Sequence, residues 1–199
     1  MKLFFFGFIL STLLFVGLFV WLTRVGKTPR HNATAPTEAY LQALAQSAGK
    51  AVNPAPGSDE EAAWISKVEK AFSPFTAEGA AAHFPIAYAE ELYFRDAFHT
   101  YTDRKTLVDY MVKSAGMSPG VTFEFSPVVR NGIEFYLPWV MVLPAKDGGG
   151  AQRSLGVSHL RFNEQGQVIF HQDYWDSADV LVPKVPVANG LIELVKRRF

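Results

Sequence analysis

The sequence predicts an α+β domain, a curved antiparallel sheet with helices over one face, preceded by one transmembrane helix. Three observations carry this. Helical periodicity with capping signals fills residues 58–116, strand alternation fills residues 121–175, and residues 3–22 contain no charge. Helices first and a strand meander after is an α+β order. A chain of 199 residues, 49% of them hydrophobic, holds one domain with a substantial core plus an appendage. Nineteen basic and nineteen acidic side chains cancel, so no net field draws nucleic acid to the surface. The absence of cysteine excludes disulfides, thiolate metal sites and cysteine nucleophiles.

Taken in order, residues 3–22 would span about 30 Å as a helix, the thickness of a bilayer core. Trp21 ends the run as an interfacial anchor, and Arg24, Lys27 and Arg30 follow where a signal peptide would carry a small-residue cleavage site. Three basic residues after the run against Lys2 before it put the domain on the cytoplasmic side, a margin that narrows once the free amine is counted. Residues 1–25 therefore read as an anchor. Residues 26–57, rich in Pro, Ala, Thr, Asn and Gly with a helix-permissive island at 37–50, read as a tether, and residues 58–199 as the domain. The sequon at Asn32 is a three-residue match that chance readily supplies.

Within the domain, Ser58 and Glu61 have the spacing of a capping box, and Trp64, Ile65, Val68, Ala71 and Phe72 recur at helical intervals. Thr76 caps a second helix over about residues 77–89, interrupted by Pro85. Thr102 or Asp103 caps a third, with Leu107, Tyr110 and Met111 on one side and Gly116 as its stop. Strands are expected at 121–129 and 134–143, where Pro138 suggests an edge or a bulge. The glycine run at 147–150 is a turn, and residues 192–198 make a short basic C-terminal helix.

Residues 156–178 hold most of the unusual polar side chains. Asn163-Glu164-Gln165-Gly166 suits a hairpin turn in which Gly166 takes positive φ. If Asn163 pairs with Gln167 and the ladder stays regular, Arg161 faces Ile169, His159 faces His171, Val157 faces Asp173 and Leu155 faces Trp175. One face then collects His159, Arg161, His171, Asp173 and Trp175, either a pocket wall or a solvated face of cross-strand charge pairs. His159, His171 and Asp173 would suit a divalent metal, or equally a hydrogen-bonded pair with a counter-charge; no metal is assigned. There is no phosphate loop, dinucleotide fingerprint or nucleophile elbow, and no cofactor is expected.

The stretch Tyr88-Ala89-Glu90-Glu91-Leu92-Tyr93-Phe94-Arg95-Asp96-Ala97, the paired long strands, and the closing His171-Gln172-Asp173-Tyr174-Trp175-Asp176 resemble the SnoaL-like group of the nuclear transport factor 2-like (ketosteroid isomerase-like) superfamily. The ending, residues 156–176 with 185–199, looks much like uncharacterised bacterial members with a DYWD motif. The resemblance covers residues 58–199 and implies a cone-shaped domain, an apolar pocket, and a homodimer formed through the sheet. The uncharged run at residues 3–22, outside the resemblance, makes a single-pass protein of a bacterial inner membrane the expectation. Asp96 falls on the catalytic aspartate of the ketosteroid isomerases. Ala97 replaces their proline, however, the first helix has no Tyr, and strand 135–143 carries no acid. A steroid isomerase is therefore disfavoured, and Asp96 serves either as a pocket carboxylate or as a turn cap.

Two functions are expected from these residues. The first is a membrane-tethered pocket domain binding a small apolar molecule or a partner, with Arg161, Trp175, Tyr93, His99 and Trp139 as candidate pocket residues. The alternative is a cofactor-free isomerase, lyase or hydrolase using Asp96 with His159, His171 or Asp173. What separates them is whether Asp96 and the hairpin cluster open into the same cavity.

Overall fold

A computed structural model of the protein describes residues 16–17, 35–145, 150–177, 180 and 197. The uncharged run with its basic flank, the Asn32 sequon, most of the glycine turn and the C-terminal helix fall almost wholly outside them. Among the described residues no helix is long and apolar enough to cross a membrane. The chain forms two compact units, residues 1–41 and 42–199, and the site lies in the second.

Helix α1 spans Ala35–Ala48. Three helices follow, α2 (Asp59–Phe72), α3 (Ala77–Ala87) and α4 (Arg104–Met117). Each begins where a side chain accepts an orphan backbone N–H: Ser58 from Glu61, Thr76 from Gly79, Asp103 from Thr106. Gly116 lies inside α4, which ends one residue later at Met117. Arg104 donates to the carbonyls of Pro85 and Tyr88, capping the C-terminal end of α3.

The strands are β1 (Tyr88–Arg95), β2 (Thr100–Asp103), β3 (Thr122–Phe125), β4 (Val129–Asn131), β5 (Glu134–Leu143), β6 (Gln152–Phe162) and β7 (Val168–Trp175). They form one open, curved sheet in the order β2-β1-β7-β6-β5-β3, with β4 also on β5. The expected antiparallel sheet is mixed, because β1 pairs β7 in parallel. Pro138 is not on an edge. It sits where the outer partner of β5 changes from β4 to β3, and there its carbonyl accepts Ser126 N.

The core lies between the helices and the inner face of the sheet, where Trp64, Phe72, Phe84, Tyr88, Phe94, Leu107, Phe135, Leu160 and Phe162 are buried. The hairpin turn is as expected: Asn163 N donates to Gln167 O, and Gly166 has φ of 65°. Trp64 of α2 packs directly on it, so a Cβ at Gly166 would come within 2.2 Å of the indole.

Beyond the turn the register departs from the expected ladder. Phe162 pairs with Val168, but Arg161 pairs with Phe170, leaving Ile169 as an extra residue in β7. Everything after it changes face. His159 faces Gln172, Leu160 faces His171, Ser158 faces Asp173 and Gly156 faces Trp175. The grouping of His159 and Arg161 with His171, Asp173 and Trp175 is therefore corrected: the first two are on the outer face, the other three on the inner.

On the outer face His159, Arg161 and Phe170 are buried beside Tyr93, whose hydroxyl donates to Gln172. Arg161 grips Glu134 through Nε and Nη2, and donates through Nη1 to Leu44 O at 2.6 Å and Ser47 Oγ at 2.9 Å. Residues from Gln42 onward, read from composition as part of the tether, thus belong to the same unit as the sheet, and Val52 N also donates to Phe162 O. His159 Nε2 meets Glu134 Oε2 at 2.5 Å. Burial opposes ionisation of Glu134, but the hydrogen bonds and charges of Arg161 and His159 outweigh it and hold the carboxyl below its usual range. Burial, against the pull of Glu134, holds His159 below the usual imidazole value. The pair therefore stands as a carboxylate accepting from a neutral ring.

Two predictions follow from this packing. Gly166→Ala combines a left-handed backbone with the Trp64 clash and should cost about 2–4 kcal/mol by urea unfolding. Gly116→Ala, with nothing within 4 Å of its Cβ, should instead stabilise by about 0.5–1 kcal/mol. Equal effects at the two sites would refute the packing of α2 on the turn. The second prediction concerns pH. Because the folded pKa of His159 lies below its unfolded value, the unfolded chain binds more protons as pH falls through about 6.5, and stability drops. Glu134 adds a further loss at more acid pH, as it protonates through its lowered folded pKa. The urea midpoint should therefore fall between pH 7 and pH 5, and fall less in His159→Gln. A midpoint that rises on acidification would contradict the assignment.

Candidate functional site

The inner face opens between the helices and β3, β5, β6 and β7 into a cavity of ≈ 400 Å³. Its walls are mainly apolar: Val68 and Phe72 from α2, Phe75 from the link to α3, Met111 and Met117 from α4, Phe94 from β1, and Phe123, Leu137 and Met141 from the sheet. Such a wall follows from strand alternation, since the inner positions of β5 are Leu137, Trp139, Met141 and Leu143.

Two carboxylates line this one cavity, Asp96 and Asp173. Asp96 follows β1, and its Oδ1 accepts the backbone N–H groups of Phe98 and His99, both at 2.6 Å, which fixes the turn into β2. Its Oδ2 accepts Tyr110 Oη at 2.5 Å. Asp96 is thus a turn cap and a pocket group at once. Burial and the bond to Asp96 raise the Tyr110 pKa well above the phenol range, so this hydroxyl stays protonated.

Asp173 is held differently. Its Oδ1 accepts His171 Nε2 at 2.7 Å and Ser158 Oγ at 2.6 Å, and Ser158 Oγ in turn accepts Trp139 Nε1 at 3.0 Å. Among the described residues its Oδ2 has no protein hydrogen bond. Behind it His171, fully buried, meets Tyr88 Oη through Nδ1 at 2.8 Å, while Phe94 packs 4.7 Å from the ring. Burial, then the nearby Asp173 charge, pushes Tyr88 well above the usual phenol value. His171 thus bridges the Tyr88 hydroxyl and the Asp173 carboxylate, and the chain Tyr88–His171–Asp173 ends at the cavity.

The structure brings together Asp96, Asp173, Trp139 and Trp175 on the cavity, with His171 one layer behind. It separates His159, Arg161 and Tyr93, which belong to the outer face and cannot share a ligand with Asp96. A metal bound jointly by His159, His171 and Asp173 is excluded by the same geometry. His99 lies on the β1–β2 turn, its ring 4.8 Å from Tyr110, outside the cavity wall. Tyr110, Ser158 and Tyr88 were missed by sequence reasoning. Tyr110 sits fourteen residues after Asp96 on a helix whose capping signal was legible, so its inward-facing position was the available clue. Ser158 and Tyr88 carried no signal without the bulge in β7.

No family model matches the sequence, and no curated protein matches it either. Solved structures do. A protein from Jannaschia sp. CCS1 described as a SnoaL-like polyketide cyclase superposes with a TM-score of 0.52 at 14% identity, covering 63% of this chain and 93% of that one. A polyketide cyclase-like protein from Acidithiobacillus ferrooxidans gives 0.52 at 14%, covering 66% and 98%. A protein of Agrobacterium tumefaciens strain C58, described as an isomerase of the SnoaL-like family, gives 0.51 at 14%, covering 60% and 100%. At these identities the likeness speaks for the fold alone. The chain therefore has the nuclear transport factor 2-like fold in its SnoaL-like form.

Proposed function

We propose that the chain is a membrane-tethered pocket domain that takes a small, largely apolar molecule into the cavity beneath the sheet. The observation that carries this reading is the cavity itself, ≈ 400 Å³ lined mostly by aromatic and aliphatic side chains, with the polar groups of Asp96, Tyr110, Ser158 and Asp173 converging on it. A site of this size and composition is that of a small-molecule pocket. The cone-like closure of helices over the curved sheet is the expected shape for such a domain. The uncharged run at residues 3–22 supplies the anchor, in a bacterial inner membrane with the domain on the cytoplasmic side.

Catalysis is the second reading, and one observation favours it. Asp173 is oriented by a buried imidazole backed by a buried phenol, and across the same cavity Tyr110 holds a proton beside Asp96. A base on one wall and a donor on the other suit a cofactor-free isomerase, lyase or hydrolase. Asp173, not His159, is then the hairpin group that acts.

A homodimer is proposed on different residues. Trp175 lines the cavity, so it cannot cover a sheet face, but Leu155 and Tyr174 stand 72% and 46% exposed on the outer face, next to Val157. An exposed apolar patch on a sheet suits an isologous contact with a second copy.

Two experiments test these readings. Solvent extraction of the purified full-length chain followed by mass spectrometry should release a small molecule. Ser114→Phe, which fills the cavity from α4, should abolish its retention without loss of folding. Equal retention by that variant would place the ligand elsewhere. Deleting residues 1–30 should move the protein from the membrane to the soluble fraction with cooperative unfolding intact, and the truncated chain should sediment as a dimer that Leu155→Arg converts to monomer. A truncated chain that stays with the membrane, or sediments as a monomer at tens of micromolar, overturns the anchor or the dimer respectively.

A further inference from the structure

The walls of the cavity hold two carboxylates and not one lysine, arginine or histidine among the described residues. Among the described residues neither Asp96 nor Asp173 has a lysine or arginine within ion-pairing distance, whereas Glu61, Glu124 and Glu134 are each paired to an arginine. The donors that do reach them are neutral or backbone groups, apart from His171 behind Asp173. Charge placed in a desolvated pocket without a counter-charge is costly, and the cost is recovered when a ligand supplies the opposite sign.

The rings around these carboxylates point the same way. Phe98 and Trp175 meet edge to face at 5.8 Å, and Trp139 lies 6.4 Å from Trp175, so aromatic surfaces stand beside both acids. Ring faces attract cations through their quadrupole and give anions no such gain. Asp173 Oδ2, with no hydrogen bond among the described residues and its side chain 12% exposed, is an open acceptor on the cavity.

We infer that the ligand is an organic cation, an amine or ammonium group carried on an apolar body, with the charge held between Asp173 and Asp96 against the Phe98–Trp175 rings. This rests on the pocket reading above and adds to it the sign of the charge. Anionic ligands are repelled by both acids, and neutral ones of the same shape forgo the attraction.

Three probes of matched shape separate the claims: 2-phenylethylammonium, 2-phenylethanol and phenylacetate, each titrated into the full-length chain in uncharged detergent micelles while tryptophan fluorescence is followed. The cation should bind at least tenfold more tightly than the alcohol, and phenylacetate should not saturate. Asp173→Asn keeps an acceptor for Ser158 and His171, and should remove that tenfold preference; circular dichroism confirms its fold. Alcohol and cation binding alike, or phenylacetate binding at all, overturns the cationic ligand and leaves the pocket reading standing. Saturation by none of the three overturns both. A preference that persists in Asp173→Asn and in Asp96→Asn overturns the assignment of the charge to these acids.

Discussion

Consecutive side chains of a strand point to opposite faces, so one extra residue in a ladder exchanges the faces of everything beyond it. In β7 that residue is Ile169. Before it, Val168 lies on the inner face with Phe162; after it, Phe170 turns outward while His171, Asp173 and Trp175 turn inward. The site depends on this exchange. Without the bulge Asp173 would stand on the outer face, and the cavity would keep only Asp96. Two demands are met by the extra residue at once. Val168 stays in the core beside the turn that Trp64 covers, and Phe170 reaches the outer cluster of Tyr93, His159 and Arg161.

Helix starts, the strand run 134–143 and the hairpin turn were legible because each is set locally: a capping oxygen three residues before an N–H, an alternation of period two, a glycine at positive φ. The bulge was not, because it inserts a residue without a compositional mark. A regular ladder would have put Phe170 inside and His171, Asp173 and Trp175 outside, the cheaper arrangement by hydrophobic pattern. The fold takes the costlier one. Bulges gather beside functional sites, and a strand that turns its polar residues inward against its own pattern is a sign of a site. Asp96, Asp173, Trp139 and Trp175 therefore line the cavity, whereas His159 and Arg161 were assigned to a pocket they do not line.

Asp96 shows a different limit. Its two candidate roles, turn cap and pocket carboxylate, were posed as alternatives because a sequence gives one position one neighbourhood. In three dimensions the two oxygens separate: Oδ1 takes the backbone of the turn and Oδ2 takes Tyr110 on the cavity side. The cap is what aims the carboxylate. Loss of either N–H bond would free the side chain to rotate, so the local and the tertiary roles are coupled.

The two faces of β6 and β7 also show how to tell a structural carboxylate from one that meets a ligand. Glu134 is enclosed by Arg161 and His159, both oxygens are used, and Arg161 spends its remaining donor on the carbonyl of Leu44 and the hydroxyl of Ser47. That network is closed, so it fixes α1 to the sheet and offers nothing to a small molecule. On the opposite face of the sheet, Asp173 is oriented on one oxygen and, among the described residues, open on the other. Burying an ion pair costs desolvation that good geometry offsets, whereas a half-satisfied carboxylate in an apolar cavity remains a net expense in the empty protein. The open oxygen belongs to a side chain that lines the cavity beneath the sheet, where a group from outside the fold has room to meet it.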